Sequence, residues 1–439
     1  MKTDNSPPRG TRDLLPGTVA RRDQVLATIA GVYRRFGYQR IETPALEDLA
    51  RLTGGQGGEN EKLIFQILRR GLPDRVEAGT DLGSLTDFGL RFDLTVPLTR
   101  FYAANHSELP SPFRSFQFGP VWRAERPQRG RYRQFYQCDI DIVGEPSMLA
   151  ELELIEATTE AMSAVGLTGS TVRISDRRFL SALAAQAGLP EQSWPEFFIG
   201  LDKLDKIGWD RVRTDLTENA GLPRAAVDAA LGCVQQLEGL PRTKFIDALA
   251  DALPTLAEEV LDDLTVTVAE LGALSENAPW SWSFDPTLVR GPGYYTGQVF
   301  EVGHPDFPSS IAGGGRYDNL IGRSLGRDVP ACGFSIGFER IIDLLRLTAD
   351  DDVVAVLYET DVPRTEVLAA ARRLREEGRK AAAVPRGGKF AAQLRRLEQW
   401  GFSGFVHLKS DAAGASADAD ADGARASAVR PLGKEQASG

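Results

Sequence analysis

Apolar residues recur at helical spacing over residues 18–36, with Val25, Ile29, Val32 and Phe36 on one face. The spacing predicts a helix, followed by an extended segment, GYQRIETPALED (37–48), that runs into Pro44. Gly54, Gly55, Gly57 and Gly58 then mark a loop. Between residues 90 and 144 the period changes to two, the repeat of a strand with two unlike faces. In Arg91–Val96, Phe92, Leu94 and Val96 are apolar, whereas Arg91, Asp93 and Thr95 are polar. In Phe113–Glu125, Phe116, Phe118 and Trp122 share one face, and Ser115, Gln117, Gly119, Arg123 and Glu125 the other. In Tyr132–Val143, Tyr136, Cys138, Ile140 and Ile142 alternate with Arg133, Phe135, Gln137, Asp139 and Asp141. RPQRGR (126–131) joins the last two as an antiparallel hairpin.

Helical periodicity returns at 149–165 and dominates 177–275, with breaks at three Gly-Leu-Pro triplets beginning at Gly188, Gly221 and Gly239. This stretch reads as an inserted helical subdomain. Strands follow at 283–302 and 331–337, then a helix at 338–347. A TADDD linker (348–352) opens a last domain. Its pattern is strand (353–358), helix (365–377), strand (381–384), helix (390–400) and strand (405–408), which predicts an α/β unit with parallel strands. Residues 411–428, half of them alanine, read as a low-complexity loop. The expected division is therefore 1–347, carrying the 177–275 insertion, and 352–439.

The chain has 439 residues, 42% hydrophobic and 26% charged, which excludes fibrous and wholly disordered classes. No apolar run approaches the ~18–20 residues of a membrane span. The N-terminus, MKTDNSPPRG, lacks the apolar core of a signal peptide, so a cytoplasmic protein with no membrane partner is expected. Cys138, Cys233 and Cys332 lie far apart, as do His106, His304 and His407, and no disulfide framework or protein-held metal site is expected. With a net charge of −10, any nucleic acid must meet local basic patches.

The polar face of the three strands collects Asp93, Arg123, Glu125, Gln137 and Asp141. A solvated face usually carries Lys, Glu and Thr. This one carries arginine, glutamine, aspartate, small residues and an aromatic, with no lysine, and reads as a ligand floor. Residues 123–133 hold Arg123, Arg126, Arg129, Arg131 and Arg133 against one acid, Glu125. Guanidinium matches phosphate oxygens in a bidentate way. The cluster suits either a nucleoside triphosphate or a nucleic-acid backbone, and both can hold. In ACGFSIGFER (331–340), small residues alternate with Cys332, Phe334, Ile336 and Phe338, which lets a flat ligand approach the backbone. Arg340 then falls in the first turn of a helix, where an anionic ligand would offset its conflict with the positive helix end. No GxxxxGK[ST] or GxGxxG loop occurs, so the common nucleotide folds are unsupported.

These segments resemble the motifs of class II aminoacyl-tRNA synthetases, specifically the histidyl-tRNA synthetase family. GYQRIETPALED is similar to motif 1, a dimer-interface element; residues 113–144 resemble motif 2; ACGFSIGFERI (331–341) resembles motif 3. GTRDLLP (10–16), RFDLTVPLTR (91–100), VRGPGYYTG (289–297) and AGGGRYDNL (312–320) resemble the histidine-specific motifs. SDRR (175–178) and LDKLDKIGW (201–209) resemble the eukaryote-like branch. The resemblance implies an α+β fold. An antiparallel class II catalytic sheet is flanked by helices, with a helical insertion and a C-terminal α/β domain of the anticodon-binding type.

It also implies roles. Arg123 would bind the ATP α-phosphate and the substrate carboxylate, Glu125 the adenine amino group, and Arg131 the γ-phosphate. Phe135 would stack on the base, and Arg340 would cover the adenine and contact phosphate. Asp93, Thr95 and Gln137 would take the histidine α-amino group; Asp141 and Tyr295, with Tyr294 beside them, the imidazole; and Arg290 would act as the catalytic arginine. ATP is the implied cosubstrate, with Mg²⁺ bridging its phosphates. The implied reaction forms histidyl-adenylate and pyrophosphate, then esterifies the 3′ end of tRNA(His), in a homodimer. Where the family's motif reads RGLDYY, this chain has RGPGYY with Pro292 and Gly293, which leaves an expectation of an intact site with a stiffer loop.

The last domain is shorter than the family pattern. Residues 352–409 carry eleven Lys/Arg against seven Asp/Glu, which suits an anticodon contact through Lys389, Arg395 and Arg396. Two alternatives share the resemblance. One is a synthetase-like, histidine-sensing regulatory subunit of ATP phosphoribosyltransferase. The other is a histidine-adenylating paralogue with a non-tRNA acceptor.

Overall fold

The computed structural model describes residues 4–54, 63–72, 77, 79–127, 131–289, 294–345, 353–410 and 429–432. Its residues group into two compact units, 1–13 with 25–346 and 14–24 with 347–439.

The first unit is built on an eight-stranded sheet. In spatial order its strands are Gln39–Arg40, Phe113–Trp122, Gln134–Val143, Ala331–Gly337, Phe307–Arg316, Gln298–His304, Ser170–Asp176 and Trp280–Phe284. The six inner strands pair antiparallel, and each edge strand is added parallel. The hairpin 113–143 forms as the alternation requires. Phe116, Cys138, Ile140 and Ile142 are buried on one face. Helix Pro16–Arg35 covers that face with Tyr33, whose ring meets Phe116 edge-on at 5.3 Å. Helix Leu149–Ala164 adds Leu154, Ile155, Ala161 and Met162, all buried.

The segment Arg91–Val96 departs from the expected strand. The strand ends at Leu90, and a helix runs over Thr95–Asn105. Arg91 and Asp93 are buried together with Phe92, Leu94 and Val96, so the two-residue repeat does not separate an inner from an outer face. The cause is local. Asp93 Oδ1 accepts from the Val96 N–H at 3.0 Å, satisfying a donor at the helix start, and Pro97 sits in the first turn where it loses no hydrogen bond.

Helices fill 177–274 between the inner strand Ser170–Asp176 and the edge strand Trp280–Phe284, and share a core of residues such as Leu183, Phe197, Val212, Leu231, Val234, Leu249 and Leu264. The three Gly-Leu-Pro triplets punctuate this stretch. Each glycine adopts a positive φ of 70–76°, and each proline immediately precedes the next helical residue, Glu191, Arg224 or Arg242.

In the second unit, strands Lys380–Pro385, Val353–Tyr358 and Phe402–Leu408 are parallel, and Arg430–Pro431 adds antiparallel. Helices Arg364–Glu376 and Phe390–Gln399 alternate with them. Val354 and Val356 pack in one core and Ala355 and Leu357 in another, so the central strand is apolar on both faces. The expected linker and the low-complexity loop 411–428 lie outside the described residues.

Candidate active site

The polar face of the sheet is organised around strand Gln134–Val143. Gln137 lies between Gly119 and Gly337, Asp139 between Gln117 and Ser335, and Asp141 between Ser115 and Gly333. One strand further, Gly313 and Gly315 stand opposite Ser335 and Gly333. The polar row is therefore flanked mostly by small residues. At Gly333 the reason is steric, since a Cβ there would lie 2.1 Å from Asp141 Oδ1. At Gly314 a Cβ would lie 1.9 Å from the Gly333 carbonyl oxygen.

At one end of the row, Arg123 is half-buried. Its Nε donates to the Phe92 carbonyl at 3.0 Å, and its guanidinium stands 5.1 Å from the Phe135 ring centre. Glu125 pairs with Arg131 at 3.1 Å, and Arg131 is half-exposed. The Arg340 stem lies over Gly337, where a Cβ would be 3.3 Å from its Cδ, and its Nη1 donates to the Ser310 carbonyl. Arg12, from GTRDLLP, pairs with Glu339 and stacks over Tyr132 at 4.1 Å. Glu339 also accepts from the Tyr136 N–H, which ties the N-terminal segment to both motif regions.

At the other end, Tyr317 donates its hydroxyl proton to Asp141 Oδ1 at 2.6 Å. Among the described residues, Asp141 Oδ2 is buried without a protein partner, and so is Gln137 Oε1. Buried polar atoms are nearly always paired, so two unpartnered acceptors on one strand face mark a place for donors from a ligand. Tyr294 packs against Tyr295 and Tyr317, with ring centres 4.8 and 5.9 Å away. Burial first, then Tyr295 and the Asp93 charge, push its hydroxyl well above the usual range.

The carboxylates feel the same burial. Asp141 is pushed up to about 7 by desolvation, against the lowering effect of the Tyr317 bond and with a further raise from Asp93. Asp93 is pushed up to about 6 by desolvation, opposed by the Val96 N–H and Arg123. Asp139 is raised by burial and then by Asp141.

The structure thus brings Asp93, Thr95, Arg123, Phe135, Gln137, Asp141, Tyr294, Tyr295 and Arg340 to this face and its rim. Arg290, Pro292 and Gly293 lie outside the described residues, as does Arg129. Three contributors were not singled out from sequence. Asp139 and Ser335 were visible in the alternation, and Tyr317 in the glycine-rich motif. A separate groove of about 630 Å³ opens on the helical side, lined by residues including Phe36, Arg114, Leu149, Leu152 and Glu153. Arg114 alternates away from the floor and forms a two-pronged pair with Glu153 at 2.6 and 2.7 Å, so this groove is distinct from the acidic row.

An inner antiparallel sheet whose small-residue floor carries arginines at one end and buried acceptors at the other is that of a class II aminoacyl-tRNA synthetase. A family model described as "Histidyl-tRNA synthetase" matches residues 10–341. The histidine–tRNA ligase of Leifsonia xyli is 47% identical over 419 residues, covering 94% of this chain and 97% of its own length. A probable histidine–tRNA ligase of Tropheryma whipplei is 40% identical, with 92% and 95% covered. The crystal structure of histidyl-tRNA synthetase from a Nostoc species superposes with a TM-score of 0.75 at 27% identity, over 93% of each chain. A Bacillus halodurans structure titled as an ATP phosphoribosyltransferase regulatory subunit/histidyl-tRNA synthetase gives the same TM-score at 21% identity, a likeness of fold. The chain belongs to the histidyl-tRNA synthetase family.

Proposed function

We infer that the chain is a histidine–tRNA ligase that activates L-histidine with ATP and transfers it to tRNA(His). The observation that carries the reading is a pair of buried acceptors without partners among the described residues: Gln137 Oε1, suited to an amino acid's ammonium group, and Asp141 Oδ2, suited to the side chain. Histidine brings an α-ammonium group and an imidazole N–H to meet them.

The proposed roles follow the row. Asp141 and Tyr295, beside Tyr294, take the imidazole; Asp93, Thr95 and Gln137 take the α-ammonium group. Arg123 lies between the amino-acid and nucleotide ends and would neutralise both the histidine carboxylate and the α-phosphate. Phe135 and Arg340 would sandwich the adenine, with Glu125 on its amino group. Arg131 would release Glu125 to meet the γ-phosphate. Arg290 is proposed as the second arginine on the α-phosphate.

The histidine carboxylate, already ionised at neutral pH, attacks the α-phosphorus and pyrophosphate leaves, so no protein base is required. Positioning and charge neutralisation supply the catalysis. A tRNA 3′-terminal hydroxyl then attacks the adenylate carbonyl, and AMP leaves. Mg²⁺ is proposed to arrive on the ATP phosphates, where one or two carboxylates suffice on the protein side. A homodimer through GYQRIETPALED is proposed, and Leu46 in that segment is 49% exposed in the single chain. Cytoplasmic residence and anticodon contact by the C-terminal unit are proposed on the same family grounds.

The regulatory-subunit reading is the weaker one. The chain keeps Arg123, Arg340 and a C-terminal α/β unit, which a histidine sensor does not need. Charging of tRNA(His) with labelled histidine tests the proposal. Arg123→Ala should abolish charging while a folded protein still binds histidine; full activity in that variant would remove Arg123 from the mechanism.

A further inference from the structure

Gln137 can face the ligand with either end of its amide. Only one end, the carbonyl oxygen, can accept from an ammonium group. On the protein side, its Nε2 donates to Asp139 Oδ2 at 3.1 Å and to Ser335 Oγ at 3.2 Å. Ser335 Oγ in turn donates to Asp139 Oδ1. Asp139 stands between Gln117 and Ser335 in the sheet register and is 4% exposed. An amide turned the other way would set Oε1 against the ionised Asp139 carboxylate, acceptor against acceptor, and would point the Nε2 donor at the ammonium group. The charged groups around Asp139 are Arg91, Asp93, Arg123 and Asp141.

We propose that Asp139 is a positioning residue for the amino acid: with Ser335 it holds the Gln137 amide so that Oε1 faces the α-ammonium group. It does not touch the substrate. It makes the site selective for an amino acid over the corresponding des-amino acid. The inference rests on the reading of Gln137 as the acceptor of that ammonium group.

Asp139→Asn keeps the shape but offers an amide N–H that welcomes a turned Gln137. The test compares histidine with imidazolepropionate, which lacks the α-ammonium group. KM for histidine is read in ATP–pyrophosphate exchange, and imidazolepropionate binding is read by inhibition. Asp139→Asn should raise the histidine KM roughly 10- to 100-fold, as expected for a lost bond to a charged group, with a much smaller change in kcat. Imidazolepropionate binding should change by less than about threefold. In the Gln137→Ala background Asp139→Asn should add nothing. Equal weakening of both ligands, an unchanged histidine KM, or additive effects would overturn the proposal. If Gln137→Ala itself leaves histidine affinity intact, the underlying reading of Gln137 fails too. If it weakens binding while Asp139→Asn does not, only the positioning role fails. Should Asp139→Asn not fold, Ser335→Ala removes one of the amide's two acceptors and should give the same ligand-selective signature at smaller size. A loss shared by both ligands, or none, would again overturn it.

Discussion

Asp141 sets the electrostatic character of the end proposed to hold histidine. Its folded value of about 7 lies above the unfolded 3.8, so the folded chain binds a proton that the unfolded chain releases. That contribution is fully present below about pH 4 and is lost as pH rises through about 7. Asp93, at about 6, adds in the same direction over a lower window. Asp141→Asn should therefore stabilise the ligand-free protein at pH 8 by roughly 1–3 kcal/mol, with the gain shrinking toward pH 5. Denaturant melts at the two pH values check this, and an equal gain at both would refute the assigned ionisation. The same substitution should raise the histidine KM, so stability and function move oppositely, as expected where a site holds an unmatched polar group. Gly333 offers a steric test. An added Cβ at 2.1 Å from Asp141 Oδ1 must displace the carboxylate, and Gly333→Ala should lower kcat/KM for histidine by about 100-fold without unfolding the sheet. Circular dichroism beside the exchange assay separates the two effects.

At the scale of elements, the hairpin was legible because alternation runs along each of its two strands and Phe116, Cys138, Ile140 and Ile142 are buried on one face. The helical breaks were legible because glycine and proline act locally. The segment 91–96 was misread because its apolar residues also alternate. What decided its shape was a capping bond from Asp93, and Asp93-x-Thr95-x-Pro97 is a helix-start pattern available in the sequence. The row of Gln137, Asp139 and Asp141 was legible as a face, but the atoms left unpartnered on it were not. That depends on Tyr317 and Ser335, which arrive from distant strands and loops. The glycine-rich motif has a second anchor. Arg316 forms a two-pronged bond with Glu151 at 2.5 and 2.6 Å, both groups buried, and also pairs with Asp318. Arg316→Ala would strand the Glu151 charge and should cost about 3–5 kcal/mol in denaturant unfolding. A loss below ~1 kcal/mol would mean that water reaches the pair.

At the scale of the whole molecule, two units divide the proposed work between chemistry and tRNA. The C-terminal unit offers exposed Lys389, Arg395 and Arg396 on or beside helix Phe390–Gln399. If they meet the tRNA backbone, Arg395→Ala with Arg396→Ala should raise KM for tRNA(His) and flatten its salt dependence, with histidine activation unchanged. Unchanged tRNA kinetics would move the contact elsewhere. The overall class was legible because the motifs carry chemistry in short runs. The grouping of residues 14–24 with the C-terminal unit was not, because nothing in their local pattern distinguishes them from the rest of their helix.

The most direct measurement is ATP–pyrophosphate exchange with each amino acid in turn. The buried acceptor on Asp141 predicts exchange with histidine and rejection of apolar amino acids by as much as ~10⁴–10⁵, since those would leave Asp141 unpaired while still meeting Gln137 with their ammonium group. Comparable exchange with another amino acid, or none from folded protein that binds histidine, would contradict the account.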